Sequence, residues 1–436
     1  VIFLIGDGMG YNQVDAGSLY ENGTSFNQVR VDPETGKIEH EPGTASQVYE
    51  NFPVRLGMAT YQHRNGYEPD KAWGDFAWVL KNPPDSAATA TAMATGVRTY
   101  NGAIGLDPDR LPVRNLTERA QELGKASGVV TSVQFSHATP AAFVAHNESR
   151  GNYRQIAREM VWEHELDVLM GAGHPYFDDD GQARDTPDFR YIDEATYEAA
   201  VSGATGHTFI EKAGDFADLA DAFDPPERVF GLPQVARTLQ FHRSGPDRDA
   251  DGTPVEGAEP YTAPELRTVP SLAEMASGAL NVLDNASDRG MFLMVEGGAI
   301  DWGGHGNEMG RMIEEQLAFN EAIETVVDWV ERESSWQETL VVVTADHETG
   351  YLAGPGAGAD TGWTPLRGEA GGLPEHSWHT GGHTNSLVPL YAKGPGASRI
   401  DHHARHTDPV RGDYLENVKL AESVFDFWGR GDTASP

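Results

Sequence analysis

Three stretches of this 436-residue chain deliver metal-ligating side chains straight off the end of an apolar run. Residues 291–305 read Met-Phe-Leu-Met-Val, then Glu296-Gly-Gly-Ala-Ile-Asp301-Trp-Gly-Gly-His305. Two carboxylates and a histidine are thus separated by small residues, and Asp301 and His305 share one face if the chain turns helically between them. Val1–Ile5 leads in the same way into Gly6-Asp7-Gly8, and Leu340–Val343 into Asp346-His347-Glu348. Each stretch alone reads equally well as a capped turn with a surface histidine. Three together are hard to explain by capping and point to a metal centre at the ends of strands, where α/β folds bind ligands.

The chain has no cysteine, so a metal must be held by His, Asp, Glu and hydroxyls. That donor set fits zinc where histidines gather and magnesium where oxygens do. Asp301, His305 and His383 would suit one zinc, Asp346 and His347 a second, and Asp7, Glu296 and a hydroxyl a magnesium. His383 lies closest to the following strand in the loop Trp378-His379-Thr380-Gly381-Gly382-His383. His379 stays open between ligand, supporting contact and solvent histidine. Gly6, Gly8 and Gly10 miss the G-x-G-x-x-G spacing, which argues against a dinucleotide site.

A nucleophile candidate lies in Pro83-Pro84-Asp85-Ser86-Ala87-Ala88-Thr89, where two prolines end one segment and an Ala/Thr run to Gly96 begins a helix. Asp85 and Ser86 sit at its N-terminus. Both are favoured caps, and the same position stabilises a phosphate or a serine alkoxide. No Ser-His-Asp arrangement is evident near Ser86, so metal activation is the natural route to a reactive hydroxyl.

These residues need a rigid frame. Val1–Ile5, Val129–Val133, Met291–Val295 and Leu340–Val343 read as buried parallel strands, and Val388–Ala392 as a fifth strand. Ala87–Thr95, Leu116–Leu123 and Met312–Val330 read as helices between them. The pattern predicts an α/β fold: a three-layer α/β/α sandwich around a mostly parallel sheet, with loop or cap insertions. Residues 176–270, rich in Asp, Gly and Pro, read as an insertion or small subdomain. Residues 351–378 read as a loop or cap near the site.

With 32 Lys+Arg against 67 Asp+Glu, the formal charge is −35. That balance argues against nucleic acid or an anionic membrane as a partner, because long-range repulsion opposes approach. Salt screens such charge beyond about 10 Å at 0.1 M, so the balance fits either a saline habitat or an ordinary acidic secreted protein. No apolar run approaches the roughly 20 residues needed to span a bilayer. No signal peptide is expected, since Val1 already begins a strand.

Taken in order, Gly6-Asp7-Gly8-Met9-Gly10, Asp85-Ser86-Ala87-Ala88-Thr89-Ala90, Ser136-His137-Ala138-Thr139-Pro140-Ala141, Glu296-Gly297-Gly298-Ala299-Ile300-Asp301, Ala345-Asp346-His347-Glu348 and the His383 loop resemble the alkaline phosphatase family. The resemblance implies a single domain over residues 1–436, usually a homodimer in the periplasm or outside the cell. It implies hydrolysis of small phosphomonoesters at alkaline pH through a phosphoserine on Ser86, with two zinc ions and one magnesium. By motif position Asp301, His305 and His383 bind the first zinc, and Asp346 and His347 the second. Asp7 bridges the second zinc and the magnesium, which Thr139 and Glu296 complete. Arg150, thirteen residues after His137, matches the arginine that holds phosphate.

His137 and Trp302 stand where some bacterial relatives carry Asp and Lys. The resemblance then implies weaker magnesium retention and looser phosphate binding. Separately, Asp247-Arg-Asp249-Ala-Asp251-Gly252 resembles the start of a calcium loop, although Glu259 falls one position late for the closing acid. A bound Ca²⁺ is the corresponding expectation.

Overall fold

The computed structural model describes residues 1–249 and 251–429. Its frame is an 11-stranded sheet, ordered His406–Asp408, Gly412–Glu416, Val54–Ala59, Val388–Lys393, Val341–Ala345, Ile2–Gly6, Met291–Gly297, Ala126–Gln134, Val168–Ala172, Val229–Gly231 and Thr208–Ile210. Ile2–Gly6 lies at the middle, parallel to Val341–Ala345 on one side and Met291–Gly297 on the other. Every residue of these three strands is buried, which is why they read as continuous apolar runs rather than alternating ones.

Helices cover both faces. Leu272–Ala286 and Met309–Glu333 pack on one side, and Leu116–Glu122 and Ala138–Ala142 on the other, the latter joined by Ser86–Thr95 and Val418–Trp428. The fold is therefore the expected three-layer α/β/α sandwich. Met309–Glu333 turns its apolar stripe, including Ile313, Ile323, Val326 and Val330, into the core.

Direction matters most for Val388–Lys393. This strand is antiparallel to both of its neighbours. Its incoming loop therefore arrives at the sheet edge where the parallel strands end, and His383 is carried to the same place as Asp7, Asp301 and Asp346.

Within residues 176–270, two short strands extend the sheet. Val229–Gly231 pairs in parallel with Val168–Ala172, and Thr208–Ile210 pairs with Val229–Gly231. Farther on, Arg243 is fully buried against Glu314, Arg248 pairs with Glu308, and Arg311 grips Asp247 through two nitrogens at 2.5 and 2.8 Å. Both Asp247 oxygens are thus committed to a guanidinium, while Asp251 accepts from the Thr253 N–H. This corrects the calcium-loop expectation: the acids at Asp247, Asp249 and Asp251 form no convergent donor group among the described residues.

Candidate metal centre and nucleophile

At the carboxyl edge of the sheet, three groups of buried or half-buried donors converge: Asp301 with His347 and His383, Asp7 with Asp346 and His347, and Asp7 with His137 and Glu296. The turns that deliver them are tight. Gly8 has φ +74°, and a Cβ there would lie 2.5 Å from the Asp301 Cα, so only glycine lets the two loops approach. The short helix Ile300–Gly306 places Asp301 and His305 one turn apart, with His305 Nε2 3.3 Å from Asp301 Oδ2.

His305 and His383 direct their Nδ1 hydrogens at the carbonyls of Gly381 (2.7 Å) and Pro84 (2.8 Å). Their Nε2 atoms then face each other at 3.0 Å, with His383 Nε2 3.4 Å from Asp301 Oδ1. Two neutral rings would aim lone pairs at one another there, so the pair calls for a cation: a proton in metal-free protein, where against burial Asp301 pushes His305 up to about 9, or a metal ion in its place. Backbone carbonyls orienting the far ring nitrogens are also how proteins prepare histidine ligands. The donor chemistry fits zinc.

His347 forms the hinge of the site. Its Nε2 is 3.1 Å from Asp346 Oδ2 and 3.6 Å from Asp7 Oδ1, and its ring stacks on His383 at 3.6 Å between centroids. Asp346 is pinned by the N–H groups of Gly8 (3.1 Å) and His347 (2.8 Å). In the oxygen-rich group, Asp7 Oδ1, Glu296 Oε1 and His137 Nδ1 are all buried without a hydrogen-bond partner. Thr139 Oγ1 donates to Asp7 Oδ2 at 3.4 Å. Buried carboxylate oxygens left without a donor are costly, and a hard cation such as magnesium answers that cost.

Ser86 begins the fully buried helix Ser86–Thr95, whose Asp85 cap accepts from the Ala88 N–H at 3.0 Å. The Ser86 Oγ lies 3.2 Å from His347 Nε2, at the meeting point of two donor groups. Asp85 serves twice, since its Oδ2 also holds the Arg150 Nη1 at 3.2 Å. The Arg150 Nη2 donates to His137 Nε2 at 3.1 Å, and the His137 ring meets Trp302 edge-on at 6.0 Å. Trp302 in turn packs on Phe241 and His242.

Of the residues singled out in the sequence, the nucleophile, arginine and metal-ligand candidates are drawn into one place, whereas the Asp247 stretch lies elsewhere. Thr131, which donates to Glu296 Oε2 from the neighbouring strand, escaped that reading; His137, expected beside the magnesium and the phosphate, lies with Asp7 and Glu296. Thr131 is opposite Glu296 only by virtue of parallel register, which no local motif records. His379 packs its ring edge-on against Phe76 at 4.9 Å and belongs to none of the three donor groups.

The electrostatics predict how chelator-stripped protein behaves. Burial, then the charges of Asp346 and Asp301, push Glu296 up to about 8. Burial and the Asp301 charge push Asp346 up to about 6, and Asp7 is raised as well. A carboxyl whose folded pKa exceeds its unfolded value favours the fold most at low pH, and that contribution is lost as pH rises through the folded pKa. His137, held down to about 3 by burial, and His347, also lowered by burial, act oppositely until the ordinary histidine value near 6.5 is passed, so stripped protein should lose thermal stability mainly between about pH 6.5 and pH 8. Metal-loaded protein should not, because ionised acids are then matched by cations. Melting curves across that range with and without chelator check this, and parallel pH profiles would contradict it.

The family model described as alkaline phosphatase matches residues 1–367. The chain belongs to the alkaline phosphatase family. It is similar to alkaline phosphatase 3 of Bacillus subtilis, at 32% identity over 83% of this chain and 62% of that protein. It is also similar to alkaline phosphatase H of Pseudomonas aeruginosa, at 28% identity over 94% of this chain and 83% of that one. Against the two Bacillus subtilis relatives it spans 62% and 52% of their length. Its fold matches that of the cold-active alkaline phosphatase from the psychrophile Shewanella sp., with a TM-score of 0.67, 25% identity, and 98% and 99% of the two chains covered. Among the described residues, no helix is long and apolar enough to cross a membrane.

Proposed function

We propose that this chain hydrolyses phosphate monoesters of broad range at alkaline pH, through a covalent phosphoserine on Ser86. The observation that carries the reading is the Ser86 hydroxyl at a helix N-terminus, 3.2 Å from a histidine nitrogen shared by two metal-capable groups. In this reading Asp301, His305 and His383 hold one zinc, Asp346, His347 and Asp7 a second, and Asp7, Glu296 and Thr139 a magnesium, with His137 beside it. Ions bound there would supply the positive charge that lowers the Ser86 hydroxyl's pKa and steadies the departing oxygen.

The chain's own residues do the rest. Asp85 and His137 fix the Arg150 guanidinium so that its planar fork is ready to bind two phosphoryl oxygens. Ser86 Oγ attacks phosphorus in line as the bond to the leaving alcohol breaks, and the helix N-terminus favours the anionic phosphoryl group. Water then displaces the Ser86 oxygen, releasing inorganic phosphate and restoring the hydroxyl. Trp302, packed against His137 where some relatives carry a lysine, leaves the phosphate less tightly held.

A panel of p-nitrophenyl phosphate, bis(p-nitrophenyl) phosphate and p-nitrophenyl sulfate tests the substrate class. The monoester should be turned over orders of magnitude faster, and preference for the diester or sulfate would overturn the reading. Arg150→Lys keeps the charge but loses the fork. Substrate and product phosphate should then bind about 10–100-fold more weakly, the worth of a charged hydrogen bond of about 1.5–3 kcal/mol. Unchanged phosphate inhibition would remove Arg150 from this role. A homodimer, a location in the periplasm or outside the cell, and a saline habitat belong to the same proposal. Sedimentation and activity across sodium chloride concentrations test the first and the last.

A further inference from the structure

One hydroxyl outside the three donor groups touches two of them. Thr349 is fully buried, and its Oγ1 lies 2.5 Å from Asp301 Oδ1 and 3.2 Å from His347 Nδ1. A hydroxyl has a single hydrogen and two lone pairs. An ionised Asp301 accepts only, so the Thr349 hydrogen goes to the carboxylate. The contact with His347 must then run the other way, with the imidazole Nδ1–H donating to Oγ1. That choice leaves the His347 Nε2 lone pair bare, and Nε2 is the atom facing Ser86 Oγ, Asp346 and Asp7.

The backbone holds this hydroxyl in place. The Thr349 N–H donates to the Gly8 carbonyl at 3.2 Å. Glu348–Thr349 and His383–Thr384 form a two-stranded antiparallel ladder in which Thr349 lies opposite His383. A Cβ at Gly8 would come within 2.9 Å of Thr349 Oγ1, so the first glycine loop is shaped around it as well. Thr349 is therefore tied to the segments that carry Asp7, Asp301, His347 and His383.

We infer that Thr349 is a positioning residue that couples the two metal groups sharing His347, setting the tautomer of His347 and the orientation of Asp301 through one shared hydroxyl. The inference rests on the reading that those groups bind metal. Partners behind metal ligands are worth about 10–100-fold in affinity or activity when removed.

The test uses purified full-length protein loaded with zinc and magnesium. Thr349→Val keeps the branched shape and removes the hydroxyl, whereas Thr349→Ser keeps the hydroxyl and loses the methyl. Zinc affinity, read by competition with a chromogenic chelator, should fall about 10–100-fold in T349V and stay within a few-fold of wild type in T349S. A kcat loss in T349V, with KM little changed, should accompany it. T349V binding zinc as wild type does overturns the inference, and so does equal weakening of T349V and T349S, which would assign the effect to packing. If T349V fails to fold, T349A against T349S gives the same contrast, and equal zinc affinity there overturns it. Wild-type protein that binds no zinc at all would instead sink the metal-centre reading itself.

Discussion

Ser86→Ala should reduce kcat on p-nitrophenyl phosphate by at least about 10³-fold, some 4 kcal/mol of barrier. The loss is that large because the hydroxyl forms the bond to phosphorus, and no neighbouring side chain can take over. Thr89 Oγ1 donates back to the Asp85 and Ser86 carbonyls, as helical threonines do, and is not free to attack. The fold should be untouched, since Asp85 remains to cap the helix and Ser86 is buried in a run of small residues. Zinc binding should persist, because Ser86 is not needed to gather the carboxylates and histidines. A variant that retained more than a tenth of the wild-type rate would show that Ser86 is not the nucleophile.

Removal of metal is the second large effect. Chelator treatment should abolish phosphate release and lower the melting temperature, and zinc with magnesium should restore both. At a metal concentration a hundredfold above Kd, each ion stabilises the fold by about 2.7 kcal/mol, so emptying several sites is expected to be plain in a melting curve. The reason lies in crowding. Asp7, Asp346, Glu296 and Asp301 are all buried at the end of the same few strands; Asp346, Glu296 and Asp301 each raise the cost of ionising Asp7, and Asp301 does the same to Asp346 and Glu296. Cations relieve that repulsion and at the same time satisfy Asp7 Oδ1 and Glu296 Oε1, which have no protein donor. Protein shown by metal analysis to be stripped, yet hydrolysing monoesters at the original rate, would contradict the mechanism.

Much of this site could be read directly because its ligands follow strands. Asp7 comes immediately after Gly6, Asp346 after Ala345, and Asp301 and His305 in the short helix that follows Glu296, so apolar runs locate them without any tertiary knowledge. Asp85 and Ser86 were legible for a different reason: prolines before and an Ala/Thr run after fix a helix start at that point. His383 was harder. It meets Asp301 only because Val388–Lys393 runs against its neighbours, and strand direction is not encoded in hydrophobic pattern.

What could not be read depends on register and on competition between partners. Thr131 supports Glu296 from across a parallel pair, and Thr349 looks like an ordinary residue after Asp-His-Glu until its hydroxyl is found between Asp301 and His347. The Asp247 stretch misled in the opposite sense. Its spacing fits a cation loop, but Arg311, sixty-four positions away, supplies the positive charge instead. A local motif cannot show that a distant guanidinium has already claimed its carboxylate. Residues 208–210 and 229–231 were hidden by brevity, each being a three-residue strand inside a polar segment.

The central claim is that phosphate passes through a covalent bond to Ser86. Its most direct measurement is to mix metal-loaded protein with a ³²P-labelled monoester, quench in acid within one turnover and map the label by peptide digestion. The account predicts acid-stable phosphoserine on the peptide containing Ser86, and no label in Ser86→Ala. Absence of label in active wild-type protein quenched at conditions where dephosphorylation is slow, or label on any other residue, would contradict it.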